Sequence, residues 1–307
     1  MNSARLIHTA QALVDEVIDV PALPRRGQNT VATGHNRQAG GAVTVLLAAA
    51  RSGAACVHAG SVGRGPNGDL ISATLAADGV TVSSPIVAEV DTGVCLVFIE
   101  PTAERTFITV QGAERRISPS SLGSSRPVPG DFVALSGYTL QGRSCAPLLE
   151  WLAELPDGVK VVLDPGAPFS DLDDAIKAEA LGVTWLWTSN AEEAKAMTGD
   201  PDMATAAPKM LAMLPKGAVA VVRDGQAGCT VATADGTTVV PGFPQVPIDT
   251  NGAGDTHTGV LLAELLLGSD PITAARRANV AGALKVTRRG IDKTPTRADI
   301  DEFLSTR

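Results

Sequence analysis

What this chain lacks closes off several classes of function. It has few cysteines: Cys56, Cys95, Cys145 and Cys229 lie far apart in 307 residues. With no C-x-x-C pair among them, neither a zinc site nor a small disulfide framework is suggested. Such thiols are expected to be buried in a reducing compartment. Clustered positive charge is also missing. Only the pairs Arg25–Arg26, Arg115–Arg116, Arg276–Arg277 and Arg288–Arg289 occur, and the net charge is −8 with a pI near 5.0. A surface for nucleic-acid backbones needs concentrated Lys and Arg, so nucleic acid is excluded as a partner. No apolar stretch approaches about eighteen residues, the length of a membrane span. The N-terminal region carries Asp15, Glu16 and Asp19 where a signal peptide would need a basic and then an apolar segment. A soluble cytoplasmic protein with no membrane partner is the expectation. There is no G-x-x-x-x-G-K-[ST] string and no H-R-D motif, so a P-loop enzyme and a protein kinase are poor matches. Internal repeats and low-complexity linkers are missing too.

What is present is a long alternation of strands and helices. The length suffices for a substantial core, as one large α/β domain or two small ones. Arg5 to Thr9 reads as a core strand. Val14 to Val20 alternates Val14, Glu16, Ile18 and Val20 on one face with Asp15, Val17 and Asp19 on the other, the period of a half-exposed strand. A break at Pro21 and Pro24 leads through a polar segment to Gln38, and Gly40–Gly41 then opens an Ala- and Leu-rich helix reaching Ser52. Ala55 to Gly60 is another strand. Val94–Ile99 and Thr106–Val110 flank a turn at Pro101–Glu104, which reads as a hairpin. Beyond residue 130, strands Phe132–Ser136, Val159–Leu163, Trp185–Thr188 and Ala218–Val222 alternate with helical segments at 143–155, 171–180, 191–198 and 203–214. Ile272–Val286 and Arg297–Leu304 read as the last helices. Alternation of this kind calls for an α/β fold, a central mostly parallel sheet with helices on both faces. Such sheets bind ligands beyond the carboxyl ends of their strands. Asp164, Asn190 with Glu193, and Gly225 with Gly228 lie at those ends.

The most informative stretch is DTNGAGDTHTG, Asp249 to Gly259, followed by the apolar run Val260 to Leu267. Glycines let the backbone turn sharply into a helix whose first amides, at Ala253, Gly254 and Asp255, would attract a phosphate. An aspartate there ordinarily caps the helix. As a plain phosphate clamp Asp255 would work against its own neighbours. The conflict disappears if it removes a proton from a hydroxyl while the 252–255 turn, Gly252, Ala253 and Gly254 included, holds the charge of a transferring phosphoryl group.

This string resembles the signature of the ribokinase-like (PfkB-type) carbohydrate kinases, matched at Asp249, Thr250, Gly252, Ala253, Gly254, Asp255 and Gly259. His257 stands where that pattern favours Phe. The resemblance implies a single ribokinase-like α/β domain over residues 1–307, with strands of a small β-sheet lid inserted at about 11–38 and 91–112. It also implies transfer of the γ-phosphoryl group of ATP to a hydroxyl of a sugar or sugar-like substrate, with Asp255 as general base. Asp15, Gly40 and Gly41 would contact the sugar, and Thr44 stands where the family usually carries Asn. Gly65 or Asn67 would line the same pocket. Gly112, Ala113 and Glu114 fall where Gly-Ala-Asn is common, leaving Glu114 either a substrate contact or a solvent partner of Arg115 or Arg116. Asn190 and Glu193 match the Asn-x-x-Glu motif that organises Mg²⁺ through water, a fitting job for a hard hydrated cation. The same pair would also make a helix cap and its capping box. Gly225 and Gly228 resemble the turn beneath the nucleotide phosphates, and Asn279 would face the adenine side. Backbone carbonyls near Asp249, Thr250, Val286 and Gly290 would encircle a monovalent cation, K⁺. A homodimer through the lid, by the apolar face of Val14, Ile18 and Val20, is expected.

Two readings from other classes compete. A catalytically silent sugar or nucleotide sensor could share the fold, and a nucleoside could replace the sugar. Separately, GRGPNG, Gly63 to Gly68, follows a strand, precedes a helix expected over Asp69–Ala77, and has Glu89 about twenty residues on, the spacing of a dinucleotide fingerprint. Its place after at least the third strand, and Pro66 where the backbone should meet pyrophosphate, count against an NAD-linked dehydrogenase.

Overall fold

The computed structural model describes residues 4–102 and 104–306. The chain opens with β1 (Arg5–His8) and leaves for β2 (Ala12–Asp19) and β3 (Gly34–Gly41). It returns through α1 (Ala42–Arg51) to β4 (Ala55–His58), α2 (Pro66–Ala77) and the short β5 (Thr81–Val82). A second excursion forms β6 (Val94–Ile99) and β7 (Arg105–Val110). After α3 (Pro119–Gly123) come β8 (Phe132–Ser136), α4 (Cys145–Ala153), β9 (Lys160–Asp164), α5 (Asp174–Val183) and β10 (Thr184–Asn190). They lead to α6 (Ala191–Thr198), α7 (Met203–Leu211) and β11 (Val219–Arg223). The hairpin β12 (Gly228–Thr233) and β13 (Gly236–Pro241) precedes α8 (Ala253–Leu266), α9 (Pro271–Val286) and α10 (Arg297–Ser305).

The large sheet has nine strands in the order β13-β12-β11-β10-β9-β8-β1-β4-β5. From β5 to β11 every neighbouring pair is parallel, and β12 and β13 close one edge antiparallel. Successive residues of the central strands are buried on opposite faces. Leu6, Val162 and Val221 join a core with α1, α8 and α9, whereas Ile7, Leu163 and Val222 join one with α4 and α7. Burial on both faces is what near-continuous apolar strands require.

The small sheet has the order β3-β2-β6-β7, with β2 and β6 parallel. Its register sets Asp15 beside Gln38 and Cys95, and Cys95 beside Thr109. The polar segment ahead of Gly40–Gly41 turns out to be strand β3, because pairing with β2 satisfies its backbone while His35 and Arg37 bond Glu16 on the other face. The apolar face expected to meet a partner is revised as well. Val14 and Val20 are buried within the chain, and the apolar residues left exposed on this sheet are Phe107, Ile108 and Val110. Helix α8 starts at Ala253, upstream of its apolar run. The turn expected at Pro101–Glu104 includes Ala103, which lies outside the described residues. No helix among the described residues is long and apolar enough to cross a membrane.

Candidate active site

Gly252 takes the left-handed conformation (φ 70°) at the start of α8, where no side chain caps the helix. Its carbonyl accepts the first helical bond, from the Thr256 amide at 2.9 Å, and the Ala253 amide reaches the Thr250 carbonyl at 3.4 Å. Among the described residues the amides of Gly254 and Asp255 meet no acceptor, so both remain available to an anion at the positive end of the helix. A Cβ on Gly252 would stand 3.0 Å from Thr44 Cγ2. Thr44 is therefore packed beneath the turn, buried on α1, rather than reaching outward. At Gly259 a Cβ would overlap the Val45 carbonyl and sit 2.7 Å from Ala48 Cβ, so this glycine lets α8 lie against α1.

Charge converges on the same place. Burial first, then the neighbouring Asp164, pushes Asp255 up to about 6, against the lowering influence of Arg223, Lys285 and Arg105. Asp15 is pushed up to about 7 by burial and then by Asp255, which brings the two carboxylates into one electrostatic site. Glu193 is raised by burial and then by Asp164, and the Tyr138 phenol by burial, then by Glu193, Asp164 and Asp255. Arg223 is the clasp. Its guanidinium donates to the Gly254 carbonyl at 3.1 Å and to Thr258 Oγ1 at 2.5 Å, and it pairs with Asp164 at 3.4 Å. Thr258 Oγ1 donates to Asp164 at 3.2 Å. The ends of β9 and β11 are thereby tied to the first turns of α8, at the carboxyl edge of the sheet.

Across from Asp255 on the small sheet, the Asp15 carboxylate lies directly against Gly40, where any Cβ would overlap it. Gly41 (φ 61°) starts α1, where a Cβ would overlap the Gln11 carbonyl. Gln11 donates to the Tyr138 carbonyl at 3.2 Å. From β7, Arg105 reaches Asn251 of the α8 turn at 3.4 Å, so the small sheet touches the site directly.

Asn190 and Glu193 form a complete capping box: Asn190 Oδ1 accepts the Glu193 amide at 2.8 Å, and Glu193 accepts the Asn190 amide at 2.9 Å. Gly225 (φ 49°) has open space where a Cβ would point, whereas Gly228 (φ 103°) is pressed against the Val240 carbonyl. Asn279 is buried, donating to the Val240 and Pro241 carbonyls at 3.1 and 3.2 Å while its Oδ1 lies 3.1 Å from His257 Nε2. Its amide is thus committed to the fold. His257, where the signature favours Phe, is fully enclosed by that contact, and burial drives its pKa down to about 3. Asp249 and Val286 do come together: the Val286 carbonyl accepts from Ile248 at 2.7 Å and Asp249 at 3.1 Å. Gly290 follows α9, its carbonyl taking the Lys293 amide at 3.4 Å.

Two sequence expectations change. Glu114 is buried and accepts the amides of Gly93 and Gly112 at 2.7 and 2.8 Å, a brace at the base of the small sheet rather than a solvent partner of arginine. In GRGPNG the Asp91 carboxylate accepts the Asn67 and Gly68 amides at 2.9 Å each, and a Cβ on Gly65 would lie 2.5 Å from Asp91 Cγ. Asn67 is spent on Thr92 and Arg37. The amides a pyrophosphate would need are already taken by an internal anion, which removes the dehydrogenase reading. Sequence reasoning did not assign Arg223, Tyr138, Arg105 or Lys285. Arg223, next to the RDGQAG glycines, stood at a strand end and carried a usable signal.

The α8 start thus combines free amides with Asp255 beside them and Asp15 in electrostatic contact. The chain belongs to the pfkB family carbohydrate kinases, which it matches over residues 9–297, and it is a sugar kinase of that family. It is 31% identical over 294 residues to the uncharacterized sugar kinase YegV of Escherichia coli (strain K12), covering 94% of this chain and 90% of that protein. In structure it is similar to a ribokinase from Giardia lamblia (TM-score 0.85, 22% identity, 99% of each chain). It is also similar to an Arabidopsis thaliana ribokinase complexed with ribose and ATP (TM-score 0.78, 23% identity, 99% of each chain).

Proposed function

We propose that this protein transfers the γ-phosphoryl group of ATP to a hydroxyl of a sugar or sugar-like molecule, with Asp255 as the general base. The observation that carries this reading is the placement of Asp255, raised to about 6, beside the uncommitted Gly254 and Asp255 amides and in electrostatic contact with Asp15. A base whose pKa lies just under neutrality is ionised at working pH yet still basic enough to accept a proton. Asp15 accepts hydrogen bonds from sugar hydroxyls, and Gly40 and Gly41 let the ring approach the backbone. The turn at Gly252, Ala253, Gly254 and Asp255 stabilises the charge on the transferring group.

The nucleotide side is supported by the open space at Gly225 and by the position of Asn190 at a strand end. Mg²⁺ suits the donors present. Glu193 is raised by burial first and then by Asp164, and a divalent cation held largely through water would relieve the repulsion between the two carboxylates. When bound, it supplies charge neutralisation on the phosphates.

Residues 1–307 act as one unit in this reading, in the cytoplasm, with the strands at 11–38 and 91–112 closing over the sugar and excluding water. Arg105 on Asn251 supports that closure. Exposed Ile108 and Val110 support a homodimer through the outer part of the small sheet. An ATP-consumption assay over pentoses, hexoses, ketoses and nucleosides tests the assignment. Turnover with one of these, lost in Asp255→Asn, is the expected result. ATP binding without turnover on any of them would make the chain a sensor.

A further inference from the structure

We propose that Lys285 is a built-in cation beneath the phosphoryl-transfer turn, so that this kinase works without a bound monovalent ion. The inference rests on the phosphotransfer reading above and concerns how its anion hole is held.

Lys285 is the penultimate residue of α9 and only 2% exposed. Its stem runs under the turn, with Cε 3.8 Å from the position a Gly252 Cβ would take. Its ammonium donates to the Arg288 carbonyl at 3.3 Å. No ion pair to it is formed among the described residues; burial lowers its pKa, and Asp249, Asp255 and Asp292 work against that shift. Carbonyls at the C-terminus of α9 add partial negative charge at the same point. An ammonium and a potassium ion are close in size and both seek oxygen ligands.

Three of the four carbonyls that the family resemblance assigns to a monovalent cation are already engaged within the chain. Val286 already accepts two amides, Thr250 accepts from Ala253, and Gly290 accepts from Lys293. An additional positive ion would also sit against a buried ammonium, a repulsion that low polarity magnifies. Lys285 instead supplies the charge that balances Asp249 and Asp255 and keeps the Gly252 turn in place. It is a positioning residue, since nothing puts it in contact with the reacting atoms.

The test compares the wild type, Lys285→Met and Lys285→Arg in buffers whose monovalent cation is either choline or K⁺. Wild-type kcat, and the rise in Tm caused by ATP with Mg²⁺, should agree within about twofold in the two buffers. Lys285→Met should lose about tenfold or more in kcat in choline with little change in the sugar KM, recover in part with K⁺, and retain most activity as Lys285→Arg. In crystals soaked in Rb⁺, anomalous density beneath Gly252 should appear in Lys285→Met and be missing from the wild type. Wild-type dependence on K⁺ of about tenfold or more, Rb⁺ beneath Gly252 in the wild type, or an unimpaired Lys285→Met in choline would each overturn the proposal. If Lys285→Met does not fold, the wild-type cation comparison and Rb⁺ soak still decide it. Should the wild type phosphorylate nothing, the kinase reading fails by itself, while the ATP-induced Tm shift and Rb⁺ density continue to judge Lys285.

Discussion

Two helices of this protein begin in glycine-rich turns with an aspartate close by, and they are used in opposite ways. At α2 the Asp91 carboxylate fills the helix start, taking the amides of Asn67 and Gly68 and leaving Asn67 bound on both sides. At α8 the aspartate belongs to the helix itself, and the Gly254 and Asp255 amides have no internal acceptor among the described residues. The glycine spacing of GRGPNG looks the more formal binding motif, but its capacity for an anion is spent inside the fold. What marks a ligand site is the balance of donors left over once the chain has satisfied itself.

That contrast can be broken most directly at Asp255. Asp255→Asn should lower kcat by roughly 10²–10⁴ while the ATP-induced Tm shift persists, the loss expected for a general base. If turnover stays near normal, Asp255 is not the base. Gly40→Ala comes next. The added methyl displaces the Asp15 carboxylate, and kcat/KM for the sugar should fall about 10- to 100-fold with the ATP KM unchanged. Its counterpart at α2 is Gly65→Ala, which strikes Asp91. That variant should lose roughly 1–3 kcal/mol in urea unfolding while its KM values stay put. A shifted KM there would mean that the α2 turn also handles substrate.

The acid limb of kcat/KM gives a finer comparison, since Asp255 must be ionised to act and should titrate near pH 6. A limb centred near 4 would deny its raised pKa. The same shift has a stability consequence. Asp255 has a folded pKa above its unfolded value of 3.8, so its proton is held more tightly in the native state. Its contribution to stability is greatest below the unfolded pKa, declines as pH rises toward about 6, and is lost above that. Asp255→Asn should therefore be more stable to unfolding than wild type at pH above about 7, by up to about 3 kcal/mol, and the gap should close below about pH 4.

The parts of the molecule readable from sequence are those whose information is local. Asp249 to Gly259 announces itself because turn, amides and aspartate are contiguous, and strand Phe132–Ser136 and helix 191–198 fall where hydrophobic run length and capping residues put them. Both layers of the large sheet follow from alternation alone. Strand β3 escaped because its polar residues pair with β2 rather than with a core, whereas the β12–β13 hairpin carried a usable signal, Thr- and Val-rich strands around Asp235–Gly236. At the site, Asp15, Gly40 and Gly41 were placed only through the family resemblance, and the structure packs them together. Arg223, Tyr138 and Lys285 were not assigned, because each gains its surroundings from segments distant in the chain. Asn279 and Thr44, expected at the nucleotide and at the sugar, are both buried, and the Asn279 amide bonds to the Val240 carbonyl.

The missing side chain at Gly259 has a reach well beyond its own size. It lets α8 and α1 touch backbone to backbone, and those helices start at the Gly252 turn and at Gly40–Gly41, proposed above to hold the phosphate and the sugar respectively. In that proposal donor and acceptor ride on the two arms of one caliper whose jaw opening is fixed at the crossing. A methyl inserted there would pry the arms apart, widening the gap the phosphoryl group must cross, although the change lies away from every reacting atom.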